Sequence, residues 1–462
     1  MKFLMRAAMP FDYVPSVSDI LVNDYLGNNI GNVLFQNSVS RWLMTEDTEI
    51  TRIKTTHFFT DEEIEYFNAE YDMLILPLAN ALRTDFIRQL KIITDLVNRL
   101  DMPCAVIGLG MQRELKDTTW NFPFDEVTKD FFKAVLKKSA IVGLRGEITA
   151  HYLKHIGLTP EKDFTVIGCP SLYTYGYELP RPEAKQLTVD TPVSFNSNVQ
   201  KGLYAFLEKQ ARQFNNFDYV CTLKNELRSL YAGYPYPKKD KETIVPDAFP
   251  IHFDSDFVKA NRVVGFVDQY SWLNFLRTKE FSFGSRIHGT IANLLAGTPA
   301  FIFIRDERVA ELVDFHNIPH MDLKDINDKT NIFDLHEKTD FTQILHGHKE
   351  RIDHFVDFMD QNKVPHLPVE VMGERLPFDE RYNEMHEKGE IRHFIHQSPV
   401  EQQRRLEEYY LEMWKVTRNF AKQYRKSDKK VESLNKELKA IKGSKFYKLN
   451  RKYHAIKKKF KN

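Results

Sequence analysis

Apolar residues along this chain gather in short runs, separated by stretches in which they recur every three or four positions. Tyr71 to Leu78 (YDMLILPL) and Pro103 to Gly108 read as strands buried on both faces, the habit of a parallel sheet. Ala140 to Leu144 and Thr165 to Ile167 read as shorter strands. Asp61 to Glu70, Arg83 to Leu100, Phe131 to Lys138 and Glu147 to Ile156 read as helices between them. The second of these places Phe86, Leu90, Ile93 and Val97 on one face. Leu26 to Trp42 starts with turn formers, among them Asn29 and Gly31, and becomes a helix with Leu34, Phe35 and Val39 on its apolar side. This alternation predicts a doubly wound α/β sheet, which presents ligand groups at the carboxyl ends of its strands.

Tyr173 to Leu187 carries Pro180 and Pro182 with little periodicity and reads as a linker. A second alternating set follows. Its expected strands are Thr191 to Asn196, Asp218 to Leu223, Val263 to Val267, Phe281 to Gly284 and Ala300 to Ile304. Its expected helices are Lys201 to Phe214, Gln269 to Arg277, Ile287 to Leu295 and Asp306 to His316. Tyr231 to Pro250 is a polar, Pro-rich loop. Beyond roughly Met321 strand signals stop, and Ile344 to Gln361 reads as a helix. The expected organisation is an N-terminal Rossmann-like domain over 1–180 and a second over 181–320. A helical segment over 321–400 packs back on the body, and a coiled coil with a basic amphipathic tail fills 401–462.

The last part rests on a heptad seam from Leu406 to Ile441, in which Leu406, Tyr410, Met413, Thr417, Phe420, Tyr424, Ser427, Val431, Leu434, Leu438 and Ile441 alternate steps of four and three. It suits self-association into a homo-oligomer or a helix folded against its own body. The tail from Gly443 holds eight Lys or Arg, no acid and interspersed aromatics, which suits an anionic membrane surface or a solvated tail. Net charge is only +1, so nothing global argues for nucleic acid. Three cysteines without metal spacing fit a reducing cytoplasm, and no apolar run is long enough to span a bilayer. The N-terminus MKFLMRAAMP is too short and interrupted for a signal peptide.

Chemistry concentrates in Phe281 to Arg305, FSFGSRIHGTIANLLAGTPAFIFIR. Ser285, Arg286, His288 and Gly289 stand where a strand gives way to a helix, where backbone amides and the helix dipole favour an anion. An arginine fork and a histidine added there make a phosphate or carboxylate site. Arg286 and His288 share a ligand only if the segment is still extended, because two steps of helix turn about 200°. Arg145, directly after the strand ending at Leu144, is a second candidate from the other half. Gly-Leu-Gly at Gly108 to Gly110 lacks a third glycine and a placed acid, so it reads as a loop approaching a ligand rather than a dinucleotide fingerprint. No His, Asp or Glu cluster has metal-ligand spacing, so no metal and no cofactor are expected.

These pieces together resemble the polysaccharide pyruvyl transferase family. The resemblance runs from about Gly27 to Pro319 through Asn29-Ile30-Gly31-Asn32, Tyr71 to Asn80, Val106 to Gly110, Gly143-Leu144-Arg145-Gly146-Glu147, Val166 to Ser171, Ser285-Arg286-Ile287-His288-Gly289 and Gly297-Thr298-Pro299. It departs from the family where the loop after the Tyr71 strand is Pro-Leu-Ala-Asn instead of glycine-rich. The resemblance implies two Rossmann-like halves similar to GT-B glycosyltransferases. It also implies transfer of pyruvate from phosphoenolpyruvate onto a glycan or lipid-linked saccharide as a ketal, in the cytoplasm or at the inner membrane face, for a surface or exopolysaccharide such as a capsule. Arg286 and His288 would be catalytic, His288 either as general acid or as a hydrogen-bond donor to the leaving phosphate, and Arg145, Arg286 and the amides of Ile287 and Gly289 would hold the donor. Asn29, Gly31 and Asn196 would face the acceptor. Two alternatives remain: a nucleotide-sugar glycosyltransferase of the same architecture, and a non-catalytic scaffold in glycan assembly.

Overall fold

A computed structural model describes residues 1–113, 119–198, 201–236, 239–240, 243–244, 249–304 and 306–443. Its first half is built on parallel strands β1 (Lys2–Arg6), β2 (Glu49–Ile53), β3 (Met73–Pro77) and β4 (Cys104–Ile107), in the order β2-β1-β3-β4. A parallel bridge from Leu109 to Leu144 carries the pairing on to β5 (Val142–Leu144) and β6 (Phe164–Val166). The central strand β1 escaped the sequence reading because KFLMR is short and carries a charge at each end. Its middle residues Phe3, Leu4 and Met5 are buried, between β2 on one side and β3 on the other. The helix Asp61–Glu70 has the extent expected, fixed by a capping box in which Thr60 and Glu63 satisfy each other's backbone amides.

The main sheet of the second half holds seven strands among the described residues. They are β7 (Val193–Asn196), β8 (Phe217–Cys221), β11 (Val263–Gly265), β12 (Phe281–Gly284), β13 (Ala300–Ile304), β14 (His320–Asp322) and β15 (Ile391–Arg392). A separate hairpin pairs β9 (Lys239–Asp240) with β10 (Thr243–Ile244) inside the Pro-rich stretch. The main sheet runs β14-β13-β12-β7-β8-β11-β15, parallel except for its last strand. The expectation that strands end near Met321 is corrected. After a helix at His348–Gln361, the chain returns and adds β15 antiparallel to β11. A two-residue strand has too little pattern to be seen in sequence, and only the open edge of β11 specifies it. The helix His348–Gln361 and the residue after it lie on the first half, where Asn362 bonds Ser139, Ala140 and Ile141 and His354 bonds Thr165.

Met1–Gln402 forms one compact unit and Gln403–Asn462 another. Within the latter, an uninterrupted helix that begins at Pro399 continues to Gly443. Tyr410, Trp414, Phe420 and Tyr424 stand 57–70% exposed along it. The heptad side chains from Ser427 onward and the tail 444–462 lie outside the described residues.

Candidate active site

Strand β12 ends at Gly284 beside the end of β7, and Asn196 ties the turn that follows. Its side-chain oxygen accepts from the Arg286 amide at 2.9 Å, and its carbonyl accepts from the Ser285 amide at 3.3 Å. Gly284 and Gly289 are required there: a Cβ on either would lie 2.5–2.6 Å from Asn196 atoms. Asn196, expected to contact an acceptor, is buried and anchors this turn.

Arg286 is extended (φ −108°, ψ 114°) and caps the helix Ile287–Leu295. Its Nε donates to the Ser197 carbonyl at 2.8 Å, and its Nη2 lies 3.4 Å from Glu226, a fully buried carboxylate. Burial pulls the Arg286 pKa down, but Glu226 and its neighbours reverse that and leave it raised. Glu226 also accepts from the amides of Thr222 and Leu223 at 2.8 and 2.9 Å. The guanidinium therefore has an acid of its own and positions the turn, a role not foreseen in the expectation of a donor contact. Sequence could not show this, because Glu226 lies in a different strand–helix unit.

Ile287 opens the helix as a buried residue. In the first turn, the amides of Ile287, His288 and Gly289 lack intrahelical acceptors. His288 turns away from Arg286 toward the first half. A Cβ on Gly31 would lie 2.4 Å from its Cβ and 2.6 Å from its Nδ1, so Gly31 admits the imidazole rather than an acceptor. Asn29 is likewise occupied within its own loop, its Oδ1 accepting the Gly31 amide at 2.7 Å. Asn29 and Gly31, expected to face the acceptor, thus also shape the loop that meets His288.

Arg145 arrives from the carboxyl end of β5. It is 1% exposed, its amide donates to Leu109 at 2.9 Å, and its stem crosses Gly110, where a Cβ would lie 2.7 Å away. One Nη bonds the Ala79 carbonyl, while Nε and the other Nη are buried with no partner. His288 Nε2 is sealed and unpartnered as well. Arg308, in the first turn of the helix Glu307–His316 after β13, adds a fourth buried, unpartnered nitrogen at Nε, while its Nη2 lies 3.6 Å from Asp306. Burial, then Arg145 and Arg308, hold the His288 pKa down to about 3. Burial lowers the Arg145 pKa, Cys169 and Glu311 offset part of that, and Arg308 adds a smaller lowering. Unpartnered buried donors beside like charges are costly, and an anion placed among them relieves both costs.

Two carboxylates frame this cluster across the halves. Glu311 accepts from the Thr149 amide at 3.1 Å and its hydroxyl at 3.0 Å, and burial pushes its pKa up to about 7. Glu307 receives Arg113 at 3.0 Å, with Arg113 over the Trp120 ring at 4.0 Å. Sequence reasoning missed Arg308 and Glu311, although one signal was available: Arg308 follows a strand's carboxyl end, as Arg145 does. Among the described residues, no group of three or more His, Cys, Asp or Glu side chains is placed to hold a metal ion.

The polysaccharide pyruvyl transferase family model matches residues 72–307. No curated protein matches the chain. Among solved structures, HepE of Anabaena in complex with UDP is similar at TM-score 0.41 and 11% identity, over 78% of this chain and 97% of that one. The UDP-GlcNAc 2-epimerase of Methanocaldococcus jannaschii in complex with UDP-GlcNAc and UDP reaches 0.39 at 11%, over 78% and 99%. An uncharacterised protein from Klebsiella pneumoniae reaches 0.38 at 11%, over 70% and 92%.

Proposed function

The chain belongs to the polysaccharide pyruvyl transferase family, and we propose that it moves pyruvate from phosphoenolpyruvate onto two hydroxyls of a saccharide as a ketal. The observation that carries this reading is the group of buried, unpartnered nitrogens on Arg145, Arg308 and His288 at the carboxyl edges of both sheets. Its three cationizable groups suit a small donor with about three negative charges, one carboxylate and one phosphate. Arg145 and Arg308 would take those groups. Amides of the first turn at Ile287 and Gly289 would complete the cradle.

His288 enters the reaction neutral and is charged by the arriving anion. It then delivers a proton to C3 of the donor, which leaves C2 electrophilic. One sugar hydroxyl attacks C2 and the C2–O bond to phosphate breaks. The second hydroxyl then closes the ketal. Of the two hydroxyl protons, one replaces the proton taken up at C3, now a methyl group, and the other leaves with phosphate. The exposed stripe at Tyr410, Phe420 and Tyr424 of the long helix suits pairing with a second copy, and the basic tail suits the membrane face where lipid-linked saccharides are found. A cytoplasmic setting agrees with both, and among the described residues no helix is long and apolar enough to cross a membrane.

Thermal shift tests the donor. Only a ligand of the native state raises the melting temperature, so phosphoenolpyruvate is expected to stabilise the wild type and not Arg145→Met. Stabilisation by nucleotide sugars and not by phosphoenolpyruvate would replace this reading with a glycosyltransferase.

A further inference from the structure

The first sheet has the strand order β2-β1-β3-β4, continued through β5, so the direction of winding reverses between β1 and β3. The carboxyl end of such a reversal is where open α/β sheets bind ligands, because the crossovers leave on opposite faces and open a crevice. The proposed donor site touches it only at Ala79, just after β3, whose carbonyl accepts from Arg145. The reversal itself holds two other arginines. Arg6 is the last residue of β1, and its Nη1 donates across the reversal to the carbonyl of Pro77, the last residue of β3, at 3.4 Å. Its Nε donates to Thr55 at 3.1 Å. Arg83 lies just beyond β3. Both guanidinium groups sit over the Phe86 ring, at 5.4 and 5.5 Å from its centre.

Their charges are poorly matched. Arg83 has Asp85 at 2.8 Å, but that carboxylate is 64% exposed, where a pair contributes little. Arg6 has no carboxylate partner among the described residues. Burial and then Arg83 hold the Arg6 pKa down to about 10; burial lowers that of Arg83, with Asp85 opposing the shift and Arg308 adding to it. The run of cations thus continues from Arg308 through Arg83 to Arg6. Arg145, Arg308 and His288 already match the charge of one donor, which leaves the Arg6–Arg83 pair in excess.

We infer that Arg6 and Arg83, at the β1/β3 reversal, form a second anion subsite that holds a phosphate or carboxylate carried by the acceptor saccharide. The inference rests on the pyruvyl-transfer reading for its account of the acceptor, and on the arginine pair alone for the anion.

Calorimetric titration of the full chain, loaded with phosphoenolpyruvate, tests it with glucose 1-phosphate, glucuronate and glucose. At least one anionic sugar is expected to bind and glucose is not. Whichever anionic sugar binds identifies phosphate or carboxylate. In Arg83→Gln, at a third-exposed side chain, affinity for the anionic sugar is expected to fall about tenfold or more, with the phosphoenolpyruvate thermal shift unchanged. Equal affinity for glucose, or unchanged affinity in Arg83→Gln, overturns the subsite. Loss of phosphoenolpyruvate binding in Arg83→Gln also overturns it and gives the pair to the donor. If phosphoenolpyruvate fails to bind wild-type protein, the donor reading falls. The same titrations on the donor-free protein then decide the subsite independently.

Discussion

Binding of phosphoenolpyruvate is expected to draw a proton onto the protein, and His288 is expected to carry it. In the free protein the imidazole has a pKa of about 3, held there by burial and by Arg145 and Arg308. Charging it at about pH 7.5, above the phosphate pKa near 6, costs about 6 kcal/mol. One negative charge about 4 Å away contributes roughly 4 kcal/mol at an effective dielectric of 20. Two such charges give roughly 8 kcal/mol and exceed the cost, before counting the screening of both arginines. His288 should therefore be protonated in the complex. The sign follows: a pKa raised by binding makes donor affinity strongest at low pH, falling as pH rises through the complexed value. Titration calorimetry in buffers of different ionisation enthalpy reads the uptake directly. The wild type should take up about one proton at pH near 7.5, and His288→Gln should lose that uptake. Glu311→Gln should keep it, which separates the imidazole from a buried carboxylate beside it that titrates near neutrality. Donor binding without proton uptake, or equal uptake in His288→Gln, would refute the proposed acid role.

Glu311 itself has a folded pKa of about 7 against an ordinary 4.5, so its ionisation opposes folding. That cost is absent below pH 4.5, grows between pH 4.5 and 7, and reaches about 3 kcal/mol above. Glu311→Gln should thus melt higher than wild type at alkaline pH and equally at acid pH, and a margin independent of pH refutes the assignment. Arg286→Met should destabilise the protein by roughly 3–5 kcal/mol, because Glu226 is left buried without its cation. The phosphoenolpyruvate thermal shift of whatever remains folded should persist, and its loss without loss of stability would restore Arg286 as a donor ligand.

Much of the architecture is legible along the chain. Strands β12 and β13 and the helix Ile287–Leu295 have the expected ends, because apolar runs, Gly297 and Pro299 act within a few residues of where they stand. His288 and Arg145 were also visible, since a polar residue at the end of a buried strand is conspicuous locally. The direction in which each side chain points was not. Arg286 and His288 stand two residues apart in one motif, yet one meets Glu226 and the other meets Gly31 of the opposite half. Arg6 belongs to a strand too short to recognise, and Arg308 enters the site only because the helix after β13 meets the first half, where Glu307 pairs with Arg113 and Glu311 with Thr149. Backbone conformation depends on neighbours in sequence, so periodicity and turn residues determined the elements. Burial and the balance of charge depend on neighbours in space, and only the tertiary structure decided which cations have acids and which wait for an anion.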